Sequence, residues 1–164
     1  MDDKYHLRRN EKEITNKNQI LEILKKGKFA TISMCRNNEP YLVTLSYGYD
    51  VQKKALYFHC AKEGLKIEFL KQNSNVCGTI IEDNGYTVGC GQAFRSVVFW
   101  GKIEIIKGLK EKKYGFDILL KHLDKDPKIM KEKFFKSDDV YIKPAILRLD
   151  IYNITGKEEK PDSN

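Results

Sequence analysis

YLVTLSYGYDVQKKALYFHCA (residues 41–61) is the stretch on which the fold turns. Tyr41, Val43, Leu45, Tyr47 and Tyr49 alternate with Leu42, Thr44, Ser46 and Gly48, the period of two that belongs to a strand. DVQKK is polar and reads as a turn, and ALYFHCA (55–61) resumes as another strand. Strands joined by so short a turn pair antiparallel.

The same reading extends in both directions. Upstream, residues 1–14 are polar and read as an arm, with Arg8 and Arg9 adjacent. Thr15 is placed to cap a helix over 16–26. Ile20, Leu21, Ile23 and Leu24 give that helix an apolar face, and Gly27 ends it. FATIS (29–33) is a short strand and RNNE (36–39) a turn. Downstream, VCGTIIE (76–82) and SVVFWGKIEII (96–106) are strands around a glycine-rich stretch. Phe116, Leu119, Leu120 and Leu123 mark a helix face, and a short helix over about 128–135 follows Pro127. AILRLDIYNI (145–154) is the last strand, and 156–164 reads as a flexible tail. Six to seven antiparallel strands in one domain spanning 1–164 predict a mainly β protein, a small barrel with flanking helices. Closure of this kind removes exposed edges.

Apolar residues make up 41% of the chain, enough for a packed interior. The formal charge is +7, from 30 Lys and Arg against 23 Asp and Glu, with both signs interspersed. No aromatic-basic motif accompanies that charge, which argues against nucleic-acid binding. No window holds the roughly 18 apolar residues of a membrane span. The charged N-terminus lacks the apolar core of a signal peptide, so a cytoplasmic location is the expectation. Cys35, Cys60, Cys77 and Cys90 form no C-x-x-C pair, so no metal site is expected and the cysteines read as small buried hydrophobes.

The chemistry gathers after Ala61. A helix is expected to start at Lys62, with Lys66 one turn on and on the same face. Gly64 leaves room for close approach, and the first-turn N–H groups point outward. Backbone donors, the positive dipole end and two cations together suit a phosphate. The alternative is that both lysines are merely solvated, which Glu63 supports. Thr44, Ser46 and Gly48 offer a face of small polar or absent side chains against which a flat ring could lie; a solvent-facing strand surface also reads polar.

In the order Gly27-Lys28-Phe29-Ala30-Thr31-Ile32, Pro40 to Tyr47, Leu56 to Ala61, Gly64-Leu65-Lys66 and Ser96-Val97-Val98, the chain resembles the pyridoxamine 5′-phosphate oxidase-related flavoproteins. Their nitroimidazole-resistance branch is the most similar. The resemblance spans roughly residues 8–155 and implies an FMN-binding split barrel, homodimeric, with the flavin at the subunit interface. It assigns Thr44, Leu45 and Ser46 to the flavin ring and His59, Ala61, Lys62 and Lys66 to the phosphate region. Ser96 and Val97 come from a later strand. Thr44 departs from the proline of many relatives and keeps a backbone N–H. Trp100 and Tyr47 are candidates to pack near the ring, although aromatics on barrel strands more often serve as core. Arg8 and Arg9 are either further phosphate contacts or a solvated arm.

The implied reaction is reduction of a small electron-poor substrate such as a nitroimidazole. His59 is the candidate proton donor and a nicotinamide the electron source. No dinucleotide-binding G-x-G-x-x-G follows a strand, so NAD(P)H would bind only transiently. The other reading is a flavin- or haem-binding storage or sensor protein, with His59 as candidate haem ligand.

Overall fold

The computed structural model describes residues 7–86 and 91–161. A 3-10 turn at Asn10–Lys12 precedes helix α1 (Lys17–Lys26). The cap of α1 is Asn16 rather than Thr15: the Asn16 side chain accepts from the Asn18 N–H. Strands β1 (Phe29–Arg36) and β2 (Glu39–Ser46) form a hairpin whose turn places Asn37 and Asn38 at φ 46° and 63°. Asparagine is among the few residues that tolerate that region, as a two-residue hairpin turn requires. Then come β3 (Gly48–Asp50), β4 (Ala55–Cys60), α2 (Leu65–Gln72), β5 (Asn75–Tyr86) and β6 (Gln92–Ile106). Helices α3 (Leu109–Leu123), α4 (Pro127–Phe134) and α5 (Asp139–Ile142) lead to β7 (Ala145–Glu159).

The seven strands form one antiparallel sheet in the order β2-β1-β5-β6-β7-β4-β3. Its two outermost strands, β2 and β3, are joined in the chain by Tyr47 alone. One residue cannot span an open sheet, so the sheet curls until its ends meet, and β2 comes against β4. Tyr47 sits fully buried at this corner, its hydroxyl donating to the Leu24 carbonyl at 2.8 Å. Its place is core rather than ligand site.

Ala30, Ile32, Val76, Ile80, Val97, Phe99 and Leu149 fill the barrel from its inner face. A second apolar cluster lies outside, where Ala55, Tyr57 and Ile146 meet Phe116 and Leu119 of α3. Both faces of β4 are therefore covered: Leu56, Tyr57 and Phe58 are all fully buried. The apolar face of Leu56 and Phe58 points inward as expected, but the Tyr57 face lies under a helix.

Two further expectations are corrected. Residues 156–159 are not a free tail: they extend β7 and pair with Phe94–Val97 of β6. Gly156 is buried there against Ile14 and Ile20. None of the described cysteines is fully buried: Cys35 is exposed, and Cys60 and Cys77 are half-buried. Cys35 and Cys77 alternate with the buried Met34 and Val76, so they fall on the outer face of the sheet. Cys90 lies outside the described residues.

Candidate functional site

The site forms where β4 hands over to α2. Lys62 and Glu63 belong to the connecting loop, and α2 begins at Leu65, not at Lys62. The lysines therefore do not share a helix face. Gly64 is the N-cap at φ 111°, a conformation that side chains rarely adopt, and an added Cβ would meet nothing within 4 Å. No side chain caps the helix. Ile67 and Glu68 donate to the Gly64 carbonyl, while the N–H groups of Leu65 and Lys66 belong to the open first turn.

Lys66 follows immediately, half-buried, and Lys62 is exposed. Neither forms an ion pair among the described residues, whereas the nearby Arg36 binds Glu39 and Glu68. Burial pushes the Cys60 thiol above its ordinary pKa, and the charge of Lys66 works against that rise. Lys112 of α3, almost buried, donates to the Pro144 carbonyl at 3.2 Å. Burial lowers its pKa, and repulsion from Lys62 lowers it further. Lys62, Lys66 and Lys112 thus gather around this junction. Lys112 has no signature in the sequence, because only the packing of α3 on β4 brings it near Lys62.

His59 is exposed at the end of β4, paired with Ile146, its ring centroid 6.1 Å from that of Phe116. With Leu119, Leu123, Met130 and Phe135 it lines a cavity of about 580 Å³ whose rim carries Asp124 and Lys125. A volume of this order accepts a drug-sized molecule. Ala61 follows on the exposed surface.

Strand β2 supplies an edge. Tyr47 N–H donates to the Lys28 carbonyl in register with the β1–β2 ladder. Hydrogen-bonded pairs alternate in an antiparallel ladder, so Thr44 and Ser46 turn their main-chain groups away from β1, toward the open edge. The Thr44 hydroxyl lies 2.9 Å from that of Thr31, and both fall on the outer sheet face. Leu45 instead packs against the core. Gly48 does not continue the open polar surface: an added Cβ would lie 2.7 Å from the backbone of Ile118 and Leu119, so the missing side chain admits α3.

Ser96 shares the outer face and Val97 does not: Val97 is fully buried in the barrel. Arg8 and Arg9 are exposed on the arm. Trp100 is half-buried on the outer side of β6. The fold thus gathers His59, Ala61, Lys62 and Lys66 at one junction, presents Thr44, Ser46 and Ser96 on the sheet exterior, and withdraws the Leu45 and Val97 side chains. Among the described residues no group of three or more His, Cys, Asp and Glu side chains is arranged to hold a metal. Nor is any described helix long and apolar enough to cross a membrane.

A seven-stranded antiparallel sheet curled into a barrel, with an uncapped, lysine-bearing strand–helix junction, is the architecture of a split-barrel protein. The chain belongs to the pyridoxamine 5′-phosphate oxidase family, whose model matches residues 16–158. It is similar to a protein from Bacteroides thetaiotaomicron ascribed to 5-nitroimidazole antibiotic resistance. The two are 29% identical, with a TM-score of 0.75 over 88% of this chain and 85% of the other. An FAD- and haem-binding protein of Mycobacterium smegmatis shares the fold at 19% identity, with a TM-score of 0.78 over 93% and 77% of the two chains. A flavocytochrome of Azotobacter vinelandii does so at 16%, with a TM-score of 0.80 over 100% and 78%. No curated protein matches the chain.

Proposed function

We propose that the protein binds FMN and reduces a small electron-poor substrate such as a nitroheterocycle. The observation that carries this reading is the open first turn of α2. Gly64 clears the approach, the Leu65 and Lys66 N–H groups face outward, and Lys62 and Lys66 have no acidic partner among the described residues. A doubly charged phosphate meets those needs, with charge-assisted hydrogen bonds on a positive dipole end. The open edge of β2 would hold the ring by the main chain of Thr44 and Ser46, and the Thr44 N–H, which a proline would lack, adds a donor there. Flavin, when bound, supplies the electron-transfer chemistry, and the protein supplies orientation and electrostatics. His59 lies where a proton could be handed to a molecule in the adjoining cavity. A nicotinamide is the proposed electron source.

The family membership and the 29% identical nitroimidazole-resistance protein support this reading. The apolar walls around His59 favour one further reading, a flavin or haem carrier without efficient turnover. The protein as isolated, supplemented with FMN, is expected to show flavin absorbance that NADH bleaches and a nitroimidazole restores. Absence of protein-bound flavin bands once excess FMN has been removed by gel filtration overturns FMN binding. A Soret band, or flavin that never turns over, selects the carrier.

We also propose that the working form is a homodimer with the flavin at its interface. Phe29, Leu42 and Ile81 are 64%, 62% and 63% exposed on the outer sheet face. A sheet face of that character suits burial against a second copy.

A further inference from the structure

We propose that a second cavity, sharing no lining residue with the flavin site, binds an anionic amphiphile of the long-chain monocarboxylate class. It lies between α1 and the β3–β4 and β7 side of the barrel and has a volume of about 770 Å³. One wall is Ile20, Leu21 and Leu24 of α1; the facing wall is Tyr49, Ile151 and Ile154.

Two backbone irregularities shape the facing wall. Trp100 pairs with Asn153 and Gly101 with Ile151, so Tyr152 is the extra residue of a β-bulge and stands 60% exposed among the lining residues. Bulges redirect side chains in this way and are enriched beside binding sites. The bulge depends on Gly101, whose missing Cβ would lie 2.6 Å from the Asp150 carbonyl oxygen. Lys54 sits at φ 52°, and its carbonyl accepts from Ile151 N–H at 3.4 Å, which ties the β3–β4 turn to the bulge.

The charges at the cavity select the ligand. Lys17, Lys54 and Glu13 line it and all are exposed. None makes a side-chain ion pair among the described residues, whereas the neighbouring Lys12 is bound to Glu159. Two cations against one anion leave a single positive charge, which suits a monoanion. Apolar walls of this extent are filled by an alkyl or similar apolar body. A neutral alkane would leave the lysines unused, and a compact dianion would leave the walls unfilled.

The test uses the full chain loaded with FMN, titrated calorimetrically with dodecanoate and, separately, with dodecanol. Saturable binding of one dodecanoate per chain is expected, with dodecanol weaker. Loss of one charge-assisted contact costs roughly tenfold in affinity or more. Lys17→Gln should show that loss, as should Lys54→Asn, in which asparagine accepts the left-handed backbone. Val51→Asp, at a position 48% exposed where folding is not at stake, should abolish binding by placing a carboxylate at the mouth. Flavin absorbance should be unchanged in all three, so failure here is separable from failure of FMN binding. Non-saturable uptake, equal affinity for dodecanol, or variants that bind like the parent overturn the proposal. Uptake only by dilute, dissociated chains would mean that a second copy fills the slot, and overturns it too.

Discussion

His122 shows how much one ring can hold. Its Nε2 lies 2.6 Å from the Gly27 carbonyl oxygen, and its Nδ1 faces the Tyr49 N–H at 3.5 Å, a weak contact. Tyr47 packs on it with ring centroids 4.9 Å apart. Both polar contacts are met by the neutral imidazole, with its proton on Nε2 and donated to Gly27. A second proton on Nδ1 would point at another donor. Burial lowers the His122 pKa below the ordinary 6.5, more than the Gly27 bond raises it, and Lys28 lowers it further. The unfolded chain therefore takes up the proton first. The contribution of His122 is complete above pH 6.5 and is lost as pH falls below that value, through the lower folded-state pKa. Urea unfolding across that range should show stability dropping on acidification, and His122→Gln should remove this part of the slope. An unchanged slope would mean that the ring is not held neutral. At the proposed flavin site, Lys66→Ala should weaken FMN by roughly 10- to 150-fold, the cost of a charge-assisted phosphate contact, and riboflavin much less. Equal losses for the two ligands would remove Lys66 from the phosphate. Lys66 was legible because strand, glycine and lysine follow one another in the chain. Lys112 and His122 were not, because their neighbours lie some fifty and ninety positions away and meet them only through tertiary packing.

Elements set the balance between local preference and packing. Gly115 lies inside α3, where alanine would raise helix propensity by about 1 kcal/mol. Yet a Cβ there would stand 2.8 Å from Tyr57 Cδ1 and 2.9 Å from Ile146 Cγ2, both in the outer apolar cluster. Overpacking of that kind costs about 1–3 kcal/mol, so packing wins. Gly115→Ala should lower the denaturant midpoint, and a rise would show that α3 can shift outward. The helix itself was legible from Phe116 and Leu119 at helical spacing. The end of β7 was not: Gly156, Lys157, Glu158 and Glu159 lack the alternation of a half-buried strand. They are held by the β6 ladder and by the Ile14 N–H, which donates to the Gly156 carbonyl at 3.0 Å. Ending the chain at Thr155 should therefore destabilise the domain measurably by thermal melting, where a frayed tail would leave the melt unmoved. Position 48 teaches the same lesson. In the chain, Gly48 looks like a gap for a ligand, but the gap admits the backbone of α3.

At the scale of the molecule, closure covers one face of the sheet, and the proposed association would cover much of the other. Curling the sheet through Tyr47 buries one face in the barrel, and α3 covers part of the other, over β4. The rest of the exterior remains, and its apolar residues can be located by register. Ser46 pairs with Phe29, and Ile81 pairs with Ser96. Thr31 opposite Thr79 carries the β1–β5 alignment on to place Phe29 beside Ile81. Ser46 and Ser96, both proposed to lie at the ligand, thus flank the two exposed apolar side chains. A second copy laid on that row would bury Phe29 and Ile81 and enclose the ligand edge in one step. Full burial of such side chains is worth about 1.5–3 kcal/mol each, so introducing charge there should break association without touching the barrel interior. Phe29→Glu with Ile81→Glu should yield a folded monomer by sedimentation, its circular dichroism unchanged and its FMN affinity reduced. A parent protein that sediments as a monomer while holding stoichiometric flavin would overturn the dimer. A double variant that stays dimeric would place the interface elsewhere on the molecule.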